Sequence, residues 1–534
     1  MPPSILRTAT LYNNTWRPTA LPHVTTPTTH FPSRYCPNAR HIVTTETAPK
    51  INLNIRPLPP KTSDPLRILF CGSDHFSCAS LSALHNLHKA EPQLIESIDV
   101  LVRPGKKSGR GLKRIAVGPL FHLASELNLP LHQRDTFTGW KLPLPGRVTD
   151  NKTGKTTIFP HPNPAVTQRP HHSFNLLIAV SFGLFVPPRI LNGLKYGGLN
   201  IHPSLLPDLR GPAPIQWALL LNRTHTGCTL QTLHPTSFDR GAILLQTPLP
   251  GVPIPPDSTT NDLLTTLATE GANMLVQGLR NNLHVPPLEP LPPPPAISAL
   301  GAPFERRDAP KITKVDLAID WSSELWGRDQ KIFPNGQWTA SDLARRYRAV
   351  GGAGGAGGTS TRPRGLWAYA FTVSQPIEQR LIFEDIEAVP CPPALREAVA
   401  TIVKIKLAGG DGRDAAPPSF PADVGNVVFG YQPDAAVPEQ QFRVPMMVEE
   451  EGTSVVMPIR VPYRVVDGVV EVVDGDDDAA GGECNAVRVR RVKVEGQASE
   501  EASRALKPFW EKNVIAEDVA VLEYAVDVIA KRVD

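Results

Sequence analysis

At 534 residues the chain is too long for one hydrophobic core, so two or three domains are expected, and 58 prolines with 39 glycines place much of the length in linkers and loops. A formal net charge of +4 at pH 7 admits an acidic partner such as RNA without requiring one. The six cysteines are scattered without CxxC spacing, which argues against a zinc ribbon, a disulfide framework and a secretory route; no run approaches ~18 consecutive apolar residues, so no transmembrane helix is expected.

In residues 1–63, Arg7, Arg17, Arg34, Arg40 and Arg56 lie among Thr, Ser and Pro, and Glu46 is the only acid. This composition, without an apolar signal core, predicts a mitochondrial transit peptide; the bland alternative is a tail with no role. An apolar run at 67–71 then reads as a buried strand ending at Gly72-Ser73, followed by a helix with Leu81, Leu84 and Leu87 on one side. A strand at 98–102, a helix at 117–127, a strand at 176–180, a short helix at 187–194 and a strand at 198–202 continue the alternation. Such alternation predicts an α/β fold with a doubly wound, mostly parallel sheet and ligands outside the carboxyl ends of its strands. Neither GxGxxG nor GxxxxGK[ST] is present, so NAD and ATP are not indicated.

The stretch 103–114 holds Arg103, Lys106, Lys107, Arg110, Lys113 and Arg114 among three glycines, so it is either a solvated loop or a contact for an anion. From 140 to 172 the pattern dissolves into Pro, Thr, Asn and Lys, an inserted surface loop. On the strand at 198–202, Asn200 and His202 are two apart and leave one face. Asp239 follows a strand-like run at 227–233, which as a parallel neighbour would bring it beside His202. An amide, an imidazole and a carboxylate are the groups that polarise a carbonyl and manage a proton, so the trio points to acyl transfer. Singly, each has an ordinary reading as a capping Asn, a half-buried His and a turn Asp.

Beyond 247, the stretch 258–262 caps a helix with Leu264, Leu267, Met274 and Leu275 at helical spacing, and 286–295 is a polyproline spacer. A helix at 340–349 carries Arg345, Arg346 and Arg348 and leads into a flexible glycine run at 351–358. Short strands at 368–373, 400–407, 427–429, 455–466 and 487–494 suggest a small β-barrel, with Pro458 and Pro462 breaking the fourth. In the last, the valines change parity at Arg490-Arg491, which predicts a β-bulge, and Arg488, Arg490, Arg491 and Lys493 form a candidate RNA face. The acidic insert at 474–478 argues that not all of this surface can serve so.

Several of these residues carry a resemblance. Asn200-Ile201-His202, Ser204-Leu205-Leu206-Pro207 and Asp239-Arg240-Gly241 resemble the folate-dependent formyltransferase family, and Arg210-Gly211-Pro212-Ala213-Pro214-Ile215-Gln216 resembles its methionyl-tRNA branch. Leu69-Phe70-Cys71-Gly72-Ser73-Asp74-His75-Phe76 matches the opening strand and turn, and Lys311-Ile312-Thr313-Lys314 with Asp316, Ile319, Asp320 and Trp321 matches the join to a second domain. The likeness covers most of 66–246 and pieces of 309–510. It implies transfer of a formyl group, without a metal, from 10-formyltetrahydrofolate to the amino group of initiator methionyl-tRNA, for translation in the mitochondrial matrix. Asn200 would be the oxyanion donor, and His202 would bond the same centre or pass a proton. Asp239 would fix the imidazole's tautomer and favour its charged form, or take the proton through a water. Ser204, Leu205, Leu206 and Pro207 would receive the folate, with Leu205 and Leu206 flanking the pterin. Arg103, Lys106, Lys107, Arg110, Lys113 and Arg114 would reach the tRNA acceptor end.

The implied organisation is a transit peptide at 1–63, a catalytic domain at 64–284 with the insertion at about 140–172, a Pro-rich linker at 285–310, and a C-terminal tRNA-binding, OB-like β-barrel domain at 311–534. A monomer without a membrane partner is expected. One departure is that the spacing from His202 to Asp239 is one residue longer than in bacterial members, within 234–237. Rival readings are another formyltransferase or hydrolase on the same fold, and a catalytically silent RNA-binding relative.

Overall fold

The computed structural model describes residues 61–108, 114–150, 153–159, 173–292, 306–319, 339–351, 365–373, 377–398, 401, 424–431, 440–458, 463–466, 469–472 and 486–511. Strand β1 (Leu66–Gly72) is apolar on both sides, as a central parallel strand must be: Ile68 and Phe70 enter one core, Leu69 and Cys71 the other. Asp74 caps helix α1 (His75–Ala90) by accepting from the Ser77 amide at 3.0 Å, and Phe76, Leu81, Leu84 and Leu87 are buried. Gly72 has no room for a side chain, because a Cβ would stand 2.7 Å from Ser77 Cβ and 2.8 Å from Leu120; close packing explains this glycine.

Strand β2 (Ile95–Val102) leads into a hairpin of β3 (Lys106–Ser108) and β4 (Arg114–Ala116), then α2 (Pro119–Glu126) and β5 (Leu131–Gln133). A second hairpin, β6 (Arg147–Thr149) with β7 (Thr156–Ile158), precedes β8 (Leu176–Val180), the short helix α3 (Pro188–Leu191) and β9 (Gly198–His202). After α4 (Pro214–Leu220) come β10 (His225–Thr226), β11 (Thr229–Thr232), β12 (Ile243–Gln246), β13 (Val252–Pro253) and α5 (Thr260–Arg280). Helix α5 starts with a reciprocal capping box between Thr259 and Asp262.

The main sheet has seven strands in the order β12-β11-β9-β8-β1-β2-β5. The run from β9 to β5 is parallel, whereas β11 is antiparallel to both β9 and β12, which corrects the parallel neighbour expected at 227–233. Helices α1, α2 and α5 pack on one face; on the other, α3 shares the cover with Phe137, Trp140 and Phe182. The expected surface loop at 140–172 therefore begins in the core, with Trp140 against Phe137 and His132, and continues as the β6–β7 hairpin; 151–152 and 160–172 lie outside the described residues. On the same face His132 also meets Asp99 of the neighbouring strand β2, Nε2 to Oδ2 at 2.9 Å.

The polyproline spacer is described to residue 292, and its Leu291 amide donates to the Ile243 carbonyl of β12 at 2.8 Å. Helix α6 (Ala340–Arg346) gives way to a π-helical turn, Tyr347–Gly351, so the helix expected over 340–349 changes winding before its end; 352–358 lie outside the described residues. Strands β14 (Leu366–Phe371), β15 (Glu378–Val389), β16 (Val424–Tyr431), β17 (Gln440–Val448) and β18 (Val455–Pro458) follow. Next come β19 (Tyr463–Val466), β20 (Val469–Val472), β21 (Ala486–Val494), β22 (Ser499–Glu501), helix α7 (Ala502–Leu506) and β23 (Trp510–Glu511).

Pairing runs β14-β15-β21-β18-β17-β16 and returns to β14, every step antiparallel, so these strands close a ring around Phe383, Val427, Val444, Val455 and Val489. β18 ends on Pro458, which still pairs with Ala486 of β21; residues 459–462, and with them Pro462, lie outside the described residues. Of the strand expected at 400–407, Thr401 is helical and the rest lies outside the described residues, as does the acidic insert at 474–478. No bulge occurs between β15 and β21: one register runs from Leu381↔Val494 to Val389↔Ala486, skipping only the level of Asp385 and Arg490. Instead both strands change parity at one level, where Asp385 adopts a left-handed φ of 59° opposite Arg490-Arg491.

Candidate active site

β9 lies between β8 and β11, and each neighbour supplies partners to its exposed-end side chains. Asn200 sits beside the last turns of β8 and donates Nδ2–H to the Ala179 carbonyl at 2.9 Å. In the antiparallel register with β11, Gln231 stands opposite Asn200 and Thr229 opposite His202. Gln231 Nε2 is 3.1 Å from Asn200 Oδ1 and 3.2 Å from Asp239 Oδ1. Thr229 Oγ1 donates to the Ser204 carbonyl at 2.7 Å and accepts from the Leu206 amide at 3.2 Å.

The Asp-x-Gly turn has a steric explanation. Asp239 has φ 51°, a left-handed conformation that Asp tolerates, and a Cβ on Gly241 would lie 1.7 Å from the Thr232 carbonyl oxygen. The turn thereby folds back on β11 and delivers the Asp239 carboxylate to His202, Oδ1 to Nδ1 at 3.5 Å. Asp239 Oδ2 accepts from the Gly211 amide at 3.0 Å, and the Asp239 carbonyl accepts from Arg210 Nε at 3.1 Å. His202 is 5% exposed, and its Nε2 is 2.9 Å from the Leu209 carbonyl oxygen. A carbonyl only accepts, so Leu209 places a proton on Nε2 and leaves Nδ1 facing Asp239. Leu209, more than Asp239, sets the tautomer.

The loop 209–213 is held from outside the main sheet. Leu209 N donates to Arg307 O at 2.7 Å, Ala309 N to Arg210 O at 2.6 Å, and Ala213 N to Ala309 O at 3.2 Å. Just before it, Asp208 accepts from the Arg307 amide at 3.0 Å and from Arg223 at 3.3 Å; burial raises the Asp208 carboxyl pKa while these donors oppose the rise. Burial, together with nearby Arg240, lowers the Arg210 pKa.

Asn200, His202 and Asp239 thus come together. Ser204 to Pro207 adjoin them, but much of that stretch's bonding capacity is spent inside the protein: Ser204 Oγ donates to Asp208 O at 2.7 Å and the Leu206 carbonyl accepts from Gln246 at 2.9 Å. The Leu206 side chain is buried, while Leu205 and Pro207 are half-buried. Of the basic stretch, Lys106 and Lys107 are exposed on β3, Arg103 lies 3.6 Å from Asp135, and Arg114 is in β4; Arg110 and Lys113 lie outside the described residues. This hairpin follows β2 at the carboxyl edge of the parallel strands, the edge from which the catalytic loop leaves β9. Three of the four C-terminal cations are occupied, which weakens their reading as an RNA face: Arg488 binds Glu449 at 2.7 Å, Arg490 binds Asp385 at 3.2 Å and also Glu387, and Arg491 donates to the Ser499 carbonyl at 2.8 Å.

Sequence reading missed Gln231 and the 306–310 segment. Gln231 shares its strand with Thr229 and Thr232, so its polarity alone does not single it out, and nothing local marks 306–310 as a partner of the 209–213 loop. Among the described residues no group of three or more metal-ligating side chains occurs. Chemically, the site offers an amide donor and an imidazole whose free nitrogen faces a carboxylate, an arrangement that stabilises an oxyanion and accepts a proton.

Comparison with known proteins bears on this chemistry. Residues 66–279 match the family model described as formyl transferase. The mitochondrial methionyl-tRNA formyltransferase of Saccharomyces cerevisiae is 32% identical over 301 residues, covering 53% of this chain and 71% of the relative. The human mitochondrial methionyl-tRNA formyltransferase is 30% identical over 294 residues, 54% of this chain and 57% of its own. A Synechococcus methionyl-tRNA formyltransferase is 32% identical over 256 residues, 48% and 67% of the two chains. With the Asn, His and Asp gathered at the end of β9 inside the matched region, the chain belongs to the methionyl-tRNA formyltransferase family.

Proposed function

We propose that the protein transfers a formyl group from 10-formyltetrahydrofolate to the α-amine of initiator methionyl-tRNA, in the mitochondrial matrix. The observation that carries the reading is the juxtaposition of Asn200 and His202 on one strand face, with Asp239 3.5 Å from His202 Nδ1. Asn200 donates its second Nδ2–H to the formyl oxygen as the amine nitrogen bonds to the formyl carbon and the oxygen becomes anionic. His202 takes the amine's proton at Nδ1, where the resulting imidazolium faces Asp239. The bond from the formyl carbon to the folate nitrogen then breaks, and His202 returns the proton to that nitrogen, so atoms and charge balance and tetrahydrofolate leaves. Leu205 and Pro207, half-buried beside the trio, offer the flat donor an apolar contact.

The basic hairpin, with Arg103, Lys106, Lys107, Arg110, Lys113 and Arg114, attracts the acceptor-stem phosphates. The strand ring beyond 365 is the OB-like domain that completes the tRNA surface, residues 1–63 are the transit peptide, and the protein acts as a monomer. The test is to give purified protein 10-formyltetrahydrofolate with methionyl-tRNA, with small amines, or with water alone. Formylmethionyl-tRNA as the dominant product is expected. Equal formylation of small amines, or release of formate alone, would assign the chain to another reaction of the same fold.

A further inference from the structure

We infer that Gln231 is a positioning residue of the transfer reaction, the side chain that locks the Asn200 amide in its donor orientation and ties it to Asp239; this rests on the formyl-transfer reading above. Gln231 is 1% exposed in the middle of β11. Its Oε1 accepts from the Gly241 amide at 3.2 Å. A backbone N–H can only donate, so the end of Gln231 facing Gly241 is the oxygen and the opposite end is the NH2 group. That NH2 group donates to Asn200 Oδ1 at 3.1 Å and to Asp239 Oδ1 at 3.2 Å.

At the far end of the chain of bonds, the Ala179 carbonyl can only accept, and it takes one Nδ2–H of Asn200 at 2.9 Å. Two backbone groups therefore set the orientation of both amides through Gln231. The other Nδ2–H of Asn200 has no protein partner among the described residues and is the donor left for the formyl oxygen. Without the Gln231 donor, the Asn200 amide loses what opposes a half-turn about its terminal torsion, and that half-turn would present Oδ1 to a developing anion. Asp239 would keep only the Gly211 amide on Oδ2. The charged and titratable groups around this link are Asp239 itself, His202 across the site and Arg210, whose Nε donates to the Asp239 carbonyl.

Two substitutions test this by single-turnover transfer to methionyl-tRNA. Gln231→Leu removes both donated bonds, and the transfer rate should fall by about 10- to 100-fold with KM for both substrates within about twofold, as expected for a group that acts only through the reacting ones. Gln231→Glu keeps the length and the acceptor for Gly241 but sets a second carboxylate against Asp239. Two adjacent carboxylates share a proton, so this variant should be slow at pH 8 and recover toward pH 6, a recovery the parent does not show. Its near-identical shape preserves the fold, which an unchanged melting temperature at pH 6 checks. A parent-like rate in Gln231→Leu, or a Gln231→Glu profile parallel to the parent's, would overturn the inference. A parent that makes no formylmethionyl-tRNA would overturn the underlying reading instead.

Discussion

His202 and His284 show how one residue type takes opposite parts in this molecule. His202 is held by a carbonyl on one nitrogen and faces a carboxylate with the other, the placement of a proton carrier in the proposed transfer. His284 is 1% exposed, lies edge-on to Tyr196 at 5.0 Å and meets Ser63 Oγ at 2.9 Å, with no carboxylate paired to it among the described residues. Burial lowers its pKa from the usual 6.5 to about 4. Above pH 6.5 the ring is neutral in folded and unfolded chains alike, so it makes stability no more pH-dependent there. Between pH 6.5 and 4 the unfolded chain takes up a proton that the folded one refuses, so stability falls as pH falls. The loss is about 2 kcal/mol at pH 5 by linkage. Thermal unfolding at pH 7 and pH 5 should accordingly show a smaller loss in His284→Phe than in the parent, and equal losses would show that the buried ring is not the cause.

Among the elements, the decisive one for the site is the loop 209–213, clamped between the Asp239 turn and the 306–310 segment. Gly211 has φ 125°, and a Cβ there would lie 2.4 Å from the Ala309 carbonyl oxygen, so Gly211→Ala must displace backbone. Because the Gly211 amide holds Asp239 and the Leu209 carbonyl holds His202, the substitution should lower kcat about tenfold or more, besides a destabilisation of about 1–3 kcal/mol for the strained backbone. Gly452→Ala is the control: φ is 73°, nothing lies within 4 Å, and kcat should be unchanged. Equal kcat in both variants would separate the loop from the chemistry. The basic hairpin yields a second prediction. Replacing exposed Lys106 and Lys107 with Ala should raise KM for methionyl-tRNA and reduce its salt slope by roughly 1–2 in log units, leaving KM for the folate alone. A fall in kcat with both KM values constant would mean that the hairpin shapes the site and does not touch tRNA.

What could be read beforehand at this scale follows from physics. β1 and β8 announce themselves because strands buried on both faces need continuous apolar runs, and α5 because its cap and its periodicity coincide. The direction of β11 was not legible: a four-residue run carries no mark of polarity, and direction is decided by how the chain returns after α4. The parity change at Arg490-Arg491 was visible, but its cause sits on the partner strand, at Asp385, where no local reading of β21 could find it. Asn200, His202 and Asp239 could be proposed from residue types and spacing, yet Gln231 gains meaning only from the antiparallel register that places it opposite Asn200.

Over the whole molecule, the two sheets are joined by more than the connecting chain. Thr260 at the start of α5 donates its hydroxyl to the Ala349 carbonyl at 2.6 Å, Arg348 donates to the Pro256 carbonyl at 3.0 Å, and the Trp217 indole donates to the Pro310 carbonyl at 2.8 Å. Trp217 belongs to α4, which leaves the loop 209–213, so the region beyond the main sheet abuts the element that positions His202 and Asp239. Such coupling suits an enzyme whose large acceptor is gripped on one part and reacts on another. Arg346 supports the same junction by donating to the Asp316 carbonyl at 2.8 Å while 6% exposed, a packing role in place of the solvent-facing one its charge suggests.

The central claim is that Asn200 and His202 perform the transfer and do not merely shape the end of β9. Its most direct measurement is the single-turnover rate of formylmethionyl-tRNA formation at saturating folate and tRNA in the parent, Asn200→Ala and His202→Ala. Asn200→Ala should fall by ~10²- to 10³-fold, as for loss of an oxyanion donor, and His202→Ala by at least as much, with tRNA affinity and melting temperature near the parent's. A rate within a few fold of the parent's in either variant would contradict the account.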